Sequence, residues 1–185
     1  MAKILYVIGA SGAGKDSVMA LFRQRCNSNF QFIHRYITRP AFAGGENHIE
    51  LSEAEFAQRC EQGLFAMNWR ANSLNYGIGT ELDLWLSQNT NVVLNGSREY
   101  LPQALKLYSD RLLPVIIEVD SQILAQRLIK RGREDQAQIN KRLQRAEQFN
   151  AELTKFNLPQ AIVLNNNLSI ESTVDNLQKQ LKEWI

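Results

Sequence analysis

Gly9-Ala10-Ser11-Gly12-Ala13-Gly14-Lys15-Asp16 matches the phosphate-cradling pattern G-x-x-x-x-G-K-[ST] at every fixed position except the last, where Asp16 stands. Upstream, Ile4-Leu5-Tyr6-Val7-Ile8 is short and apolar, as a strand buried on both faces requires. Downstream, Ser17-Val18-Met19-Ala20-Leu21-Phe22 reads as the first turns of a helix. A strand, a glycine turn and a helix N-terminus together point backbone N–H groups at an anion on the positive end of the helix dipole. Gly9, Ala10, Ser11, Gly12, Ala13, Gly14, Lys15, Asp16 and Ser17 are therefore expected to hold a nucleotide, with Lys15 at its β- and γ-phosphates. A glycine turn without a ligand is the plainer alternative, and it leaves the lysine and its flanking elements unexplained.

Asp16 carries two readings. In the common loop a Ser or Thr hydroxyl binds Mg²⁺, and a carboxylate is a harder, charged ligand for the same ion. Asp16 or Ser17 is accordingly a candidate magnesium ligand. The other reading is that Asp16 sits in the first helical turn and is stabilised by the dipole alone.

A chain of 185 residues suits one domain with a core of its own. A formal net charge of +2 gives no case for nucleic-acid or membrane partners. The charge is uneven, however: Arg127, Lys130, Arg131, Arg133, Lys141, Arg142 and Arg145 crowd one segment against only Glu134 and Asp135, which asks for an anionic partner or a solvated helix face. Cys26 and Cys60, like His34 and His48, lie apart without metal-ligand company. No apolar run approaches the roughly 20 residues of a membrane span. The apolar opening runs straight into the glycine loop without a cleavage region, so the expected location is a reducing cytoplasm.

Along the chain, Phe30 to Ile37 alternates as a strand would. Ser52-Glu53-Ala54-Glu55 is a capping box opening a helix, with Gly63 as its stop. Leu64 to Arg70 looks extended, Asn72 to Gly79 has turn chemistry, and Thr80 caps a further helix. Val92-Val93-Leu94 and Leu112 to Val119 are strands, with Pro114 marking an edge or bulge. Helices follow from Ser121 and from about Gln136, then the strand Ala161-Ile162-Val163-Leu164. Asn165 to Asn167 either border an adenine or form a simple turn before a closing amphipathic helix. Strands alternating with helices behind a phosphate loop predict an α/β fold whose parallel sheet is flanked by helices.

The pieces Gly9 to Lys15, Thr38-Arg39-Pro40, Gly45-Glu46-Asn47, Gly63-Leu64-Phe65, Asn75-Tyr76-Gly77, Arg131-Gly132-Arg133 and Lys141-Arg142-Leu143 occur in an order that resembles the guanylate kinase family over nearly the whole chain. That resemblance implies a P-loop NTPase fold with a core over residues 1–37 and 92–185. It further implies a substrate-binding insertion over about 38–91 and a lid over about 130–145. The departures fall where guanylate kinases read guanine. Asn68 stands in place of the acidic residue before Trp69, Ile78 in place of a hydroxyl, and Asn95-Gly96-Ser97-Arg98 in place of an Asp-rich strand end. With Gly-Lys-Asp-Ser closing the loop, the chain is similar to the ribose 1,5-bisphosphate phosphokinases, guanylate-kinase relatives of phosphonate degradation.

This likeness implies ATP and Mg²⁺ as co-substrate and cofactor, and a small-molecule sugar bisphosphate as acceptor. The alternatives are a GMP kinase and a guanylate kinase-like module without catalysis. A two-phosphate acceptor without a base needs cations in two places. Arg35, Arg39 and Arg98 suit that need, because guanidinium groups grip phosphate bidentately. Ser97 and Tyr76 join them, Tyr76 resembling the family's phosphate-contacting tyrosine, and His48 falls near another. Arg131 and Arg142 are implied as lid arginines on the transferring group, with Arg133 and Arg145 beside the acceptor. His34 is read as structural, and Trp69 and Trp85 as packing.

Overall fold

The computed structural model describes residues 1–43, 46–132, 135–153, 158 and 160–184. Strand β1 (Ile4–Gly9) is buried at every position, as its uninterrupted apolar run requires. Helix α1 (Lys15–Arg25) carries Asp16 in its first turn and Arg23 and Arg25 in its last, each charge complementing the dipole. Its inner face is Val18 and Phe22.

A five-stranded sheet runs in the order β2 (Phe30–Phe32), β7 (Asn91–Asn95), β1, β8 (Leu112–Glu118), β9 (Ile162–Asn165). The β2–β7 and β8–β9 pairs are parallel, and helices flank the sheet. A four-stranded sheet has the order β4 (Ile49–Glu50), β3 (Tyr36–Ile37), β6 (Leu74–Gly79), β5 (Phe65–Ala71). The remaining helices are α2 (Glu53–Glu61), α3 (Glu81–Ser87), α4 (Leu101–Tyr108), α5 (Ser121–Arg131), α6 (Gln136–Leu153) and α7 (Ile170–Leu181).

The chain forms two compact units. One comprises Met1–Tyr6 with Cys26–Leu112, the other Val7–Arg25 with Leu113–Ile185. In the first, Ile4, Leu5, Tyr6, Ile37, Ile78, Leu82, Val92 and Leu94 are fully buried. In the second, Ile8, Ala13, Leu128, Leu164 and Val174 are. No described helix is long and apolar enough to cross a membrane.

Several local expectations need correction. Phe30 to Ile37 is two strands in two different sheets: Phe30–Phe32 pairs with Asn91–Val93, while Tyr36 and Ile37 pair with Gly77 and Tyr76. The apolar alternation continues across the change of sheet, so the sequence hides it. Only Asn72 and Ser73 turn, both at positive φ (49° and 63°), as a two-residue hairpin with Ala71 opposite Leu74 demands. Leu74 onward is strand, with Tyr76 and Ile78 inward. Thr80 makes no side-chain cap, its αR backbone already continuing the helix. β8 is an interior strand, yet its pairing with β9 starts at Val115, so Pro114 lies before that ladder and its missing N–H costs nothing on that side. Helix α4, opened by Pro102, has no counterpart in the sequence reading.

Candidate active site

The loop between β1 and α1 is shaped by two glycines at positive φ, Gly12 (95°) and Gly14 (92°). Ala13 N–H closes on Ala10 O at 3.1 Å, and Val18 N–H on Gly14 O at 3.0 Å starts the helix. Lys15 Nζ folds back to donate to Gly9 O (3.1 Å) and Ala10 O (3.2 Å). Ser11, Gly12, Gly14, Lys15, Asp16 and Ser17 line one side of a cavity of about 510 Å³. Leu168, Ser169 and Ile170 stand on its wall with Arg127. Backbone amides at a helix N-terminus, a lysine and an open cavity make this an anion site.

Arg142, on α6, donates from Nη1 to Ser11 Oγ at 2.5 Å, so one of the arginines expected at the transferring group reaches the loop. Arg145 is exposed on the same helix, and among the described residues no hydrogen bond or ion pair brings it to the loop. Arg133 and the side chain of Arg131 lie outside the described residues, as does Gly45 of the Gly45-Glu46-Asn47 piece.

Sequence reasoning missed Arg127. Its Nη2 donates to Asn166 O at 2.8 Å, with Nη1 at 3.5 Å from Ala13 O. Membership of the basic run, one helical turn before Arg131, was the available signal. Asn166 is 1% exposed and donates from Nδ2 to Ala13 O at 2.7 Å. Its side chain thereby braces the loop while lining the same cavity.

Arg35, Arg39, Tyr76, Ser97 and Arg98, five of the acceptor candidates, belong to the other unit. Glu46 takes Arg35 edge-on, Arg35 Nε donating to Oε1 at 2.6 Å and Nη2 to Oε2. Asn95 Nδ2 also donates to Oε2, at 2.6 Å. The Arg35 guanidinium lies 4.9 Å over the Tyr76 ring. Trp69 stacks on Tyr76 (5.6 Å, 2°) and on Tyr100 (5.4 Å, 28°), which agrees with the packing role expected of Trp69. Burial raises the Tyr100 phenol above its ordinary value.

Arg39 Nη2 meets His48 Nδ1 at 3.2 Å, and His48 Nε2 meets Arg39 O at 3.0 Å. With its proton on Nε2, the ring accepts from the guanidinium and donates to the carbonyl. Arg39 Nε is buried and lacks a hydrogen-bond partner among the described residues. Glu46, absent from the expected site, joins Arg35 and Asn95 through its carboxylate. Its only sequence signal was its place in the Gly45-Glu46-Asn47 piece.

At the end of β7, the Tyr6 hydroxyl donates to Ser97 O and accepts from Ser97 N–H, both at 2.9 Å. Burial pushes the Tyr6 phenol far above its ordinary range, so it keeps the proton it donates. A Cβ on Gly96 would collide with the Tyr6 ring, which explains the glycine. Ser97 and the buried Nη1 of Arg98 are thereby set at the strand end. Asn68 is exposed and carries no carboxylate, and Ile78 is 0% exposed and offers no hydrogen bond to a base.

A glycine loop between a buried strand and a helix, feeding a parallel sheet flanked by helices, defines a phosphate-loop nucleotide-binding α/β protein. The chain belongs to the guanylate kinase family: the family model described as "Guanylate kinase" matches residues 1–184. It is 46% identical to the ribose 1,5-bisphosphate phosphokinase PhnN of Yersinia pestis, over 98% of this chain and 92% of that one. It is 52% identical to the protein of the same name from Psychromonas ingrahamii, over 96% and 91%. A crystal structure of guanylate kinase from Anaplasma phagocytophilum shares the fold, with a TM-score of 0.73 at 16% identity over 98% of this chain and 86% of that one.

Proposed function

We propose that the protein transfers the γ-phosphoryl group of ATP to the 1-phosphate of ribose 1,5-bisphosphate, giving 5-phosphoribosyl 1-diphosphate and ADP. An oxygen of the acceptor phosphate attacks the γ-phosphorus, and the bond from that phosphorus to the β–γ bridging oxygen breaks. The observation that carries this reading is that Ile78 is buried in the same unit that holds Arg35, Arg39 and Arg98, an absent base reader beside three candidate phosphate grips. The names of the relatives from Yersinia pestis and Psychromonas ingrahamii support the same substrate.

A phosphate acceptor is already ionised at neutral pH, so the reaction calls for no general base. Catalysis then rests on positioning and on stabilising charge spread over the transferring group. Lys15 and the amides of Gly12 to Lys15 hold the donor's β- and γ-phosphates, and Arg142 with Arg131 neutralises the transferring group. Arg35, Arg39, Arg98, Ser97 and Tyr76 hold the acceptor, with Arg133 and Arg145 assigned to it by the family resemblance. The family resemblance supports a core of 1–37 with 92–185, a substrate-binding insertion of about 38–91 and a lid of about 130–145.

Among the described residues no group of three His, Cys, Asp or Glu is placed to hold a metal. Mg²⁺ on a nucleotide needs only one or two protein oxygens, the rest coming from phosphates and water. Asp16 and Ser17, both lining the cavity, fit that requirement. When bound, the ion supplies charge neutralisation on the donor's phosphates. The thiols of Cys26 and Cys60 suit a reducing cytoplasm.

The test is product identity: phosphorus NMR of ATP with ribose 1,5-bisphosphate should show the two coupled resonances of a sugar diphosphate. GDP formed from GMP, with no sugar diphosphate, would instead mark a guanylate kinase.

A further inference from the structure

Four polar groups of Asn166 are all committed within one unit of the molecule. Its N–H donates to Glu118 O at 2.8 Å, at the end of β8. Its carbonyl accepts from Arg127 Nη2 at 2.8 Å. Nδ2 donates to Ala13 O at 2.7 Å, and Oδ1 takes the Thr173 hydroxyl at 3.0 Å. The amide orientation follows from its partners, since Ala13 O can only accept. At 1% exposure for Asn166 and 2% for Thr173, these bonds are shielded from water and costly to leave unmade.

The geometry of the peptide unit gives this arrangement a consequence. In a trans peptide the C=O of one residue and the N–H of the next point in opposite directions. Holding Ala13 C=O towards Asn166 therefore turns the Gly14 N–H the other way. The glycine at position 14 belongs to the same device: a Cβ there would sit 2.5 Å from Asn166 Nδ2, so a larger residue would push the amide off its partner.

We infer that Asn166, braced by Thr173, is a positioning residue that aims the Ala13–Gly14 peptide of the cradle at the donor's phosphates. The inference rests on the donor-site reading above and adds how that site is kept in shape. Asn166 acts through the loop backbone, so its effect belongs to the phosphates and is independent of the base.

Calorimetric titration of two ligands, ADP and inorganic tripolyphosphate, tests this on the full chain. Asn166→Asp is nearly isosteric and sets a carboxylate oxygen against Ala13 O. Both ligands should weaken together by about tenfold to a hundredfold, the worth of one hydrogen bond to a charged group. The acceptor KM should stay within about twofold. Lowering the pH should restore part of the affinity, because the introduced carboxyl, once protonated, can donate to Ala13 O again. Thr173→Val keeps the shape and frees the amide, and serves where Asn166→Asp folds poorly; it should weaken both ligands equally and by less. Loss of ADP binding with tripolyphosphate unchanged would place Asn166 at the base and overturn the inference. Unchanged binding of both would overturn it as well. A wild-type protein binding neither ligand would instead remove the donor-site reading, and the brace with it.

Discussion

Arg35 and Glu46 meet edge to edge, with Arg35 Nε donating to Glu46 Oε1 at 2.6 Å while the guanidinium face rests on Tyr76. Two of the three nitrogens are committed to the carboxylate. Glu46 thus fixes how Arg35 presents itself and joins it to Asn95. Glu46→Gln keeps the size but removes the charge that orients the fork. The acceptor KM should rise about tenfold or more, with a stability loss of about 1–3 kcal/mol from weakened buried bonds. Steady-state kinetics with each substrate varied in turn, together with urea unfolding, checks it; an unchanged acceptor KM removes Glu46 and Arg35 from acceptor binding.

Tyr6 serves the strand end through one oxygen. Tyr6→Phe leaves both the N–H and the C=O of Ser97 without their partner, at a cost of about 1–3 kcal/mol. The acceptor KM should increase while the ATP KM stays near its wild-type value. Equal increases in both would show that the Tyr6–Ser97 contact supports the fold and nothing more specific.

Lys15 lies across the loop on the carbonyls of Gly9 and Ala10. Lys15→Ala should lower kcat by roughly 100-fold or more, the usual cost of removing one preorganised charge. The melting temperature should change little, because the side chain faces the cavity. Near-normal turnover in a folded variant would take Lys15 out of the mechanism.

Asp16 has two separable roles. If it helps hold Mg²⁺, Asp16→Asn should shift the magnesium dependence of activity to higher concentration, and Asp16→Ser should recover part of the loss. If it only stabilises the start of α1, both variants lose about 0.3–1 kcal/mol of stability and their magnesium curves superimpose on wild type. Activity against free Mg²⁺ for the three proteins decides between them.

What the sequence displays best is local. The loop from Gly9 to Lys15 announces itself by spacing. The capping box is present with both reciprocal bonds, Ser52 N–H to Glu55 Oε2 at 3.0 Å and Glu55 N–H to Ser52 Oγ at 3.2 Å. The Ser52 backbone bond holds the Glu55 carboxyl below its ordinary value. What stays hidden is long-range. Asn166 reaches Ala13 and Arg127 reaches Asn166 only once β8, β9 and α5 are assembled, and Glu46 finds Asn95 across 49 positions. An asparagine in a run of three asparagines carries no local mark of such a partner. Turn composition likewise misleads over Asn72 to Gly79, because two residues suffice to reverse the chain and the glycines at 77 and 79 belong to a strand.

The central claim is acceptor identity, and the ratio of kcat/KM for ribose 1,5-bisphosphate to that for GMP, with ATP saturating, tests it most directly. With Ile78 buried and no carboxylate at Asn68, GMP lacks the hydrogen bonds on which base selection depends, a deficit worth about 100-fold. The ratio should exceed 1 by about 100-fold or more. A ratio below 1 would contradict the account.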